Sequence, residues 1–332
     1  MYADIPEWLS LAFMIAGFVA LAWSSDLFVA GASAVARALG ISPFVIGMVI
    51  IGFGTSAPEL CVSAMSGISG HANLSLGNAY GSCIFNIAVI LGVAAMISPL
   101  VVQPSVAFVA GPGLALLTGF SYWLLSDGAC SRAEAFVLLG AFLVLLPAYC
   151  WYDQKTKGAA DGDGSKDKAD AADSRLWVSV MKLLVGLGVL VGSSHLLVWG
   201  AVDFAKWVGV SDLVIGLTII AVGTSLPELA SAIASARRGE HEFVLGNIVG
   251  SNLFNTLAVV GLATSISPTS GFSPYILTRD LPLLLVLSLS LTVFGCNWKR
   301  FGAPGSVARA KAAVWLAVFV GYTLLMFYQE TH

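Results

Sequence analysis

Charge is what this sequence is short of. Only 11% of its 332 residues are charged, 58% are hydrophobic, and mean hydropathy is +0.88. A soluble domain carries about 25% charged residues, so this composition excludes a water-soluble globular protein. The apolar runs are long enough to cross a bilayer, which takes about 20 residues each, and the chain reads as an integral membrane protein. Cysteine is also scarce. Cys61, Cys83, Cys130, Cys150 and Cys296 are odd in number and lack metal-ligand spacing, which excludes a disulfide framework. Four of them lie in or beside apolar segments and read as small buried hydrophobes. No nucleophile–base arrangement, phosphate loop or zinc-ligand spacing is present, and all four histidines are isolated. These absences argue against an enzyme, a cofactor or a nucleic-acid partner. Lys and Arg are missing from Met1 to Trp8, so the first apolar run does not begin as a cleaved signal peptide and is expected to stay.

Ten apolar segments are bounded by charges or turn residues. The first half gives 8–37, 43–67, 72–97, 104–126 and 132–152; the second gives 176–206, 211–236, 243–268, 278–296 and 310–328. All are expected to be helices, because an open chain satisfies its backbone in lipid only that way. The fold class is an all-α polytopic membrane protein, with one half at 1–152, a hydrophilic cytoplasmic linker at 153–175 and a second half at 176–332. Placing both termini outside the cytoplasm puts 13 of the 16 basic residues inside and leaves Arg132, Lys206 and Arg279 outside, as the positive-inside rule requires. The linker reads as a solvated connection. Its Asp161–Asp167 stretch faintly resembles a calcium loop but lacks the glutamate at loop position 12. The short linker fits a bacterial inner-membrane protein.

Gly54-Thr55-Ser56-Ala57-Pro58-Glu59-Leu60 recurs 169 residues later as Gly223-Thr224-Ser225-Leu226-Pro227-Glu228-Leu229. The same offset pairs Ser25 with Ser194, Gly31 with Gly200, Gly77-Asn78 with Gly246-Asn247, Gly81-Ser82 with Gly250-Ser251, and Phe85-Asn86 with Phe254-Asn255. Five spans per half is an odd number, so the second half enters the membrane from the opposite face. Ten helices would then form two inverted five-helix repeats with a site at mid-membrane between them.

Each motif places a carboxylate and a proline within an apolar run. A carboxylate at membrane depth is costly and marks a functional site. Pro58 and Pro227 lack an N–H and crowd the carbonyls of Gly54 and Gly223, so the helix kinks or breaks. Carbonyls over 52–55 and 221–224 are expected to lose intrahelical partners and to face a cation. Thr55 and Glu59, like Thr224 and Glu228, are four apart and share a face. Two carboxylates with hydroxyls and carbonyls make an all-oxygen cage suited to Ca²⁺ and Na⁺. Asn78, Ser82 and Asn86, and again Asn247, Ser251 and Asn255, form polar stripes at i, i+4, i+8. Ser82, Asn86, Ser251 and Asn255 read as ion contacts, and Asn78 and Asn247 as helix-packing groups. Asp26 and His195 share a repeat position; the histidine is a candidate proton sensor, and both also suit a helix end or a water-lined crevice. Asp203, Asp212 and Asp280 read as interfacial.

The Gly-Thr-Ser-x-Pro-Glu motifs, each followed by Gly-Asn-x-x-Gly-Ser-x-x-Phe-Asn, resemble the α-repeats of the calcium/cation antiporter superfamily, of which sodium/calcium exchangers are a branch. The resemblance implies ten helices, a central site lined by spans two, three, seven and eight, and alternating access with spans one and six as a sliding gate. It makes Glu59 and Glu228 the principal Ca²⁺ ligands, helped by Thr55 and Thr224. It maps Na⁺ contacts onto Ser56, Ser82, Ser225 and Ser251, and onto the carbonyls of Gly52 and Ala221, with Asn86 and Asn255 as the central polar pair. Many relatives carry an aspartate at one of those asparagines; here the site offers two negative charges, which balance one Ca²⁺ or two Na⁺. The change also weakens the case for potassium dependence.

The function expected is secondary antiport of Ca²⁺ against Na⁺, with lipid as the surroundings and one chain sufficient to build the site. A Ca²⁺/H⁺ antiporter of the same fold is the alternative, and a passive cation channel a more distant one.

Overall fold

The computed structural model describes residues 7–68, 72–158, 172–207 and 221–331. Among them, eight helices are long and apolar enough to cross a membrane, or nine if one bent pair counts as a single span. In chain order the helices are α1 (Trp8–Leu39), α2 (Pro43–Thr55), α3 (Ala57–Ile68), α4 (Leu74–Ile97), α5 (Val106–Leu124), α6 (Arg132–Asp153) and α7 (Leu176–Phe204). They continue as α8 (Leu226–Arg237), α9 (His241–Ile266), α10 (Ile276–Gly295) and α11 (Arg309–Gln329). A single turn, Ala221–Thr224, leads into α8. The calcium-like stretch Asp161–Asp167, most of the linker, Asp212 and the first part of the expected segment 211–236 lie outside the described residues.

Burial sorts these helices into a centre and a rim. The apolar stretch of α9 is 94% buried and that of α4 is 72% buried, against 11% for α6 and for α11. Leu76, Tyr80 and Ile84 of α4 pack into one core with Leu245, Ile248 and Leu257 of α9. α9 is buried nearly all round and the middle of α4 is enclosed as well, so Ser82 and Asn86 on α4 and Asn247, Ser251 and Asn255 on α9 meet protein.

The two longest helices, α1 and α7, lie side by side. Gly17 meets Leu197, Phe28 meets Gly186, and Gly31 meets Leu183, so one helix runs antiparallel to the other. A Cβ on Gly17 would sit 2.8 Å from the Leu197 nitrogen, and one on Gly186 would sit 2.6 Å from that of Phe28. Glycine permits this approach, as small residues do between membrane helices. Adding 169 to Gly17 and Phe28 gives Gly186 and Leu197, so the two contacts exchange places under the repeat.

Short strands close the helix ends. Leu100–Val102 (β1) pairs antiparallel with Gly305–Val307 (β4), and Ala129–Cys130 (β2) pairs with Thr269–Ser270 (β3). Each pair joins the two halves. The helices also widen locally to π turns, including Asn86–Leu91 in α4 and Phe254–Val259 in α9. Such widening is common at functional sites, and here it begins at or beside the asparagines of the two motifs. Of the cysteines, Cys83, Cys130 and Cys296 are buried as expected for small hydrophobes, while Cys61 is exposed.

Candidate functional site

The prolines do what their chemistry requires. The chain bends by 45° between α2 and α3, with Ser56 at the joint in a non-helical conformation (φ −81°, ψ 5°). Ser225 adopts nearly the same dihedrals before α8 (φ −93°, ψ 9°). Each break starts a new helix whose second residue is proline and whose third is the glutamate. Glu59 and Glu228 therefore sit in first turns, at the positive ends of their helix dipoles. That position favours a negative charge by about 0.3–1 kcal/mol. Burying an ion costs several kcal/mol even after relaxation, so the helix ends alone do not offset it.

Both glutamates are completely buried, as are Thr55, Ser56, Ser225, Ser251 and Asn255. Ser225 donates to Glu59 Oε1 at 3.0 Å, and Ser56 donates to Glu228 Oε1 at 2.9 Å. Each glutamate is thus held by the serine three residues before the other. The two motifs therefore meet at one place in the fold. Ser225 also lies 3.3 Å from the hydroxyl of Ser82. Thr224 adds a hydroxyl beside Glu59, and Thr55 and Ser251 add hydroxyls beside Glu228. Four buried oxygens there accept no hydrogen bond: Glu59 Oε2, Glu228 Oε2, Asn86 Oδ1 and Asn255 Oδ1. Buried polar atoms are rarely left so, and a cluster of unpartnered acceptors with two carboxylates is suited to a hard cation. Among the described residues no group of three or more His, Cys, Asp or Glu could hold a metal, and the other polar oxygens around the two glutamates are hydroxyls and amides.

Several expectations need correction. The Gly52 carbonyl keeps an intrahelical partner, accepting the Ser56 N–H at 3.1 Å, because the missing proline N–H falls opposite Gly54. In the second motif the carbonyl that Pro227 frees, Gly223 O, accepts from Ser194 of α7 at 3.3 Å. Ala221 starts its helical turn, and its side chain is not among those described. Asp26 and His195 are both exposed well inside α1 and α7, so of the two expected settings the structure excludes the helix end and not the crevice, and Asp26 faces Arg238, which follows α8. Asp280 is buried, paired to Arg279 at 2.7 Å and to Tyr322 at 3.0 Å, so it is no ordinary interfacial residue. Asp203 accepts from Ser10, tying α7 to α1.

Asn247 acts as a brace. Its Oδ1 accepts from Thr55 at 3.3 Å and its Nδ2 donates to Ser231 at 3.1 Å. Asn78 makes a longer contact of 3.4 Å with Ser63. Asn252 also borders the site, donated to by Asn86 at 3.0 Å. Sequence reasoning passed over it, because its repeat partner is Cys83 and the pair falls at a variable position of the motif, as do Ala79/Ile248, Tyr80/Val249 and Ile84/Leu253.

The sodium/calcium exchanger protein family matches residues 9–150 and 178–328. The chain belongs to this family. CaxA of Alkalimonas amylolytica is 39% identical over 324 residues, covering 95% of this chain and 98% of its own. Inner membrane protein YrbG of Escherichia coli is 35% identical over 316 residues, covering 93% and 96%. The sodium-calcium exchanger NCX_Mj, in a structure soaked with 10 mM Na⁺ and 10 mM Sr²⁺, matches with a TM-score of 0.80 at 30% identity, over 95% of this chain and 97% of that one. As a member of the exchanger family, the chain is an integral membrane cation exchanger.

Proposed function

We propose that this exchanger moves Ca²⁺ against Na⁺ by alternating access, through one site at which Glu59 and Glu228 are the charged ligands. The observation that carries this reading is the crossed pair of hydrogen bonds, Ser56 to Glu228 and Ser225 to Glu59. Ca²⁺ and Na⁺ compete for the same two carboxylates. Thr55, Thr224, Ser56, Ser225, Ser82, Ser251, Asn86, Asn255 and the carbonyls of Gly52 and Ala221 supply the neutral oxygens. An empty site would carry two uncompensated carboxylates through a low-dielectric interior, which opposes crossing without cargo.

The architecture is read as ten spans in two inverted halves, 1–152 and 176–332, joined by a cytoplasmic linker. The exchanged contacts of α1 with α7, and strand pairs that each join the halves, support it. Both termini lie on the non-cytoplasmic side by the charge bias. A bacterial inner membrane is the location, in line with the name of the Escherichia coli relative. One chain supplies every ligand, so a monomer suffices.

Purified protein in vesicles tests the counter-ion. Ca²⁺ uptake should follow an outward Na⁺ gradient and stop when that gradient is removed. Uptake that ignores Na⁺ and follows a pH gradient would replace sodium by protons in the same fold. Uptake driven by neither gradient, without counterflow of labelled Ca²⁺, would indicate a channel.

A further inference from the structure

The two central asparagines occupy equivalent places in the repeat, yet their surroundings differ. Asn86 Nδ2 donates to Asn252 Oδ1 at 3.0 Å, and Asn252 Nδ2 donates to the backbone carbonyl of Cys83 at 3.4 Å. A backbone carbonyl can only accept, which gives this relay one direction. Asn252 must turn its NH₂ toward Cys83, so its Oδ1 faces Asn86. Asn86 must then answer with its own NH₂, and its Oδ1 is left as an acceptor on the other side. That oxygen is buried and unpartnered, on a residue one helical turn beyond Ser82, which touches Ser225 and through it Glu59.

The repeat places Cys83 where Asn252 stands in the other half. A thiol cannot relay an amide. Its Sγ instead lies 3.7 Å from Asn252 O and from Thr256 Oγ1. Asn255 is accordingly unanchored: both its Oδ1 and its Nδ2 are buried without a partner. The bilayer site is thus symmetric in its ligands and asymmetric in what orients them.

We propose that Asn252 is a positioning residue that commits Asn86 to present its oxygen, never its NH₂, to the transported cation, while Asn255 has no such constraint. This rests on the two-glutamate reading above and adds a rule about substitution. A carboxylate at position 86 would face Asn252 Oδ1, and the relay cannot reverse, because Asn252 would then turn an oxygen onto the Cys83 carbonyl. A carboxylate at 255 meets no such obstacle. The acidic charge this site lacks is therefore admissible at 255 and excluded at 86.

The test is Ca²⁺ exchange in vesicles, with apparent affinity and maximal rate measured separately. Asn252→Leu keeps the branched heavy-atom outline and removes the relay; it should weaken apparent Ca²⁺ affinity about tenfold, the low end for losing a partner that orients a metal ligand. In an Asn86→Ala background the same substitution should change affinity no further. Equal losses in both backgrounds would mean that Asn252 only fills space and would overturn the proposal. Should Asn252→Leu fail to fold, a second pair decides: Asn86→Asp should bind Ca²⁺ more weakly than Asn255→Asp, and equal or reversed affinities would overturn it. Glu59→Gln in the same assay keeps the two ideas apart. Exchange that survives it defeats the two-glutamate reading, whereas its loss combined with additive Asn252 and Asn86 effects defeats the relay alone.

Discussion

Pro58 and Pro227 each free a backbone carbonyl four residues earlier, and the two halves of the molecule deal with it differently. In the second half Ser194 of α7 donates to Gly223 O. In the first half the equivalent serine, Ser25 of α1, donates within its own helix to Ala22 O at 2.9 Å. The asparagine relay shows the same division, with Asn252 on one side and Cys83 on the other. The proposed side-chain ligands are the same in both halves, while the bonds made by the side chains around them differ.

The comparison predicts equal effects at the ligands and unequal ones at the supports. The largest effects belong to the glutamates. Glu59→Gln and Glu228→Gln should each reduce Ca²⁺ exchange to background, because each removes half the charge that balances a divalent cation in low dielectric. Breaking one member of a buried charged arrangement costs about 3–5 kcal/mol, enough to silence flux at physiological Ca²⁺. Full activity in either variant would mean the halves are unequal at the ligands too.

Next in size is the supporting serine. Ser194→Ala should lower stability in detergent by about 1–3 kcal/mol, the cost of leaving a buried acceptor without its partner. Ser25→Ala should shift it by less than Ser194→Ala does, since it removes only a bond within one helix and Ser25 does not partner the carbonyl that Pro58 frees. Thermal unfolding of the two variants side by side checks this, and equal shifts would erase the asymmetry at the broken helices.

How much of this was legible beforehand depends on what each feature rests on. The bent span, the buried glutamates and the polar stripes follow from Pro58, Pro227 and the 169-residue repeat, all local in sequence. The Ser194 contact was not legible, because Ser25 and Ser194 are identical in type and equivalent in position, and only packing decides which bond each makes. Asp280 misled for a related reason. Its place near a predicted helix end suggested an ordinary interfacial residue, but the adjoining Arg279 and the distant Tyr322 bond it in a buried setting. Asn252 was not legible because it stands at a variable position of the motif, and only the folded contacts with Asn86 and Cys83 give it a partner.

The smallest effect concerns how α1 is tethered. Arg238 Nε lies 3.9 Å from Asp26 Oδ1, and an Arg238 terminal nitrogen donates to the Asp26 backbone carbonyl at 3.2 Å. The counterpart of Asp26 is His195, and the repeat places Ser69 where Arg238 stands, so the sequence gives α7 no equivalent ion pair. The side chains are 38% and 56% exposed, and an exposed pair of this kind contributes at most about 1 kcal/mol. Asp26→Asn should therefore alter stability by less than Ser194→Ala, and raising salt should shrink the difference from the parent protein. Arg238→Gln should cost more than Asp26→Asn, because the backbone carbonyl bond survives the loss of the carboxylate but not the loss of the guanidinium. If Asp26→Asn instead matched Ser194→Ala at high salt, the tether of α1, and not the buried carbonyl beside α7, would be the stronger of the two unequal supports.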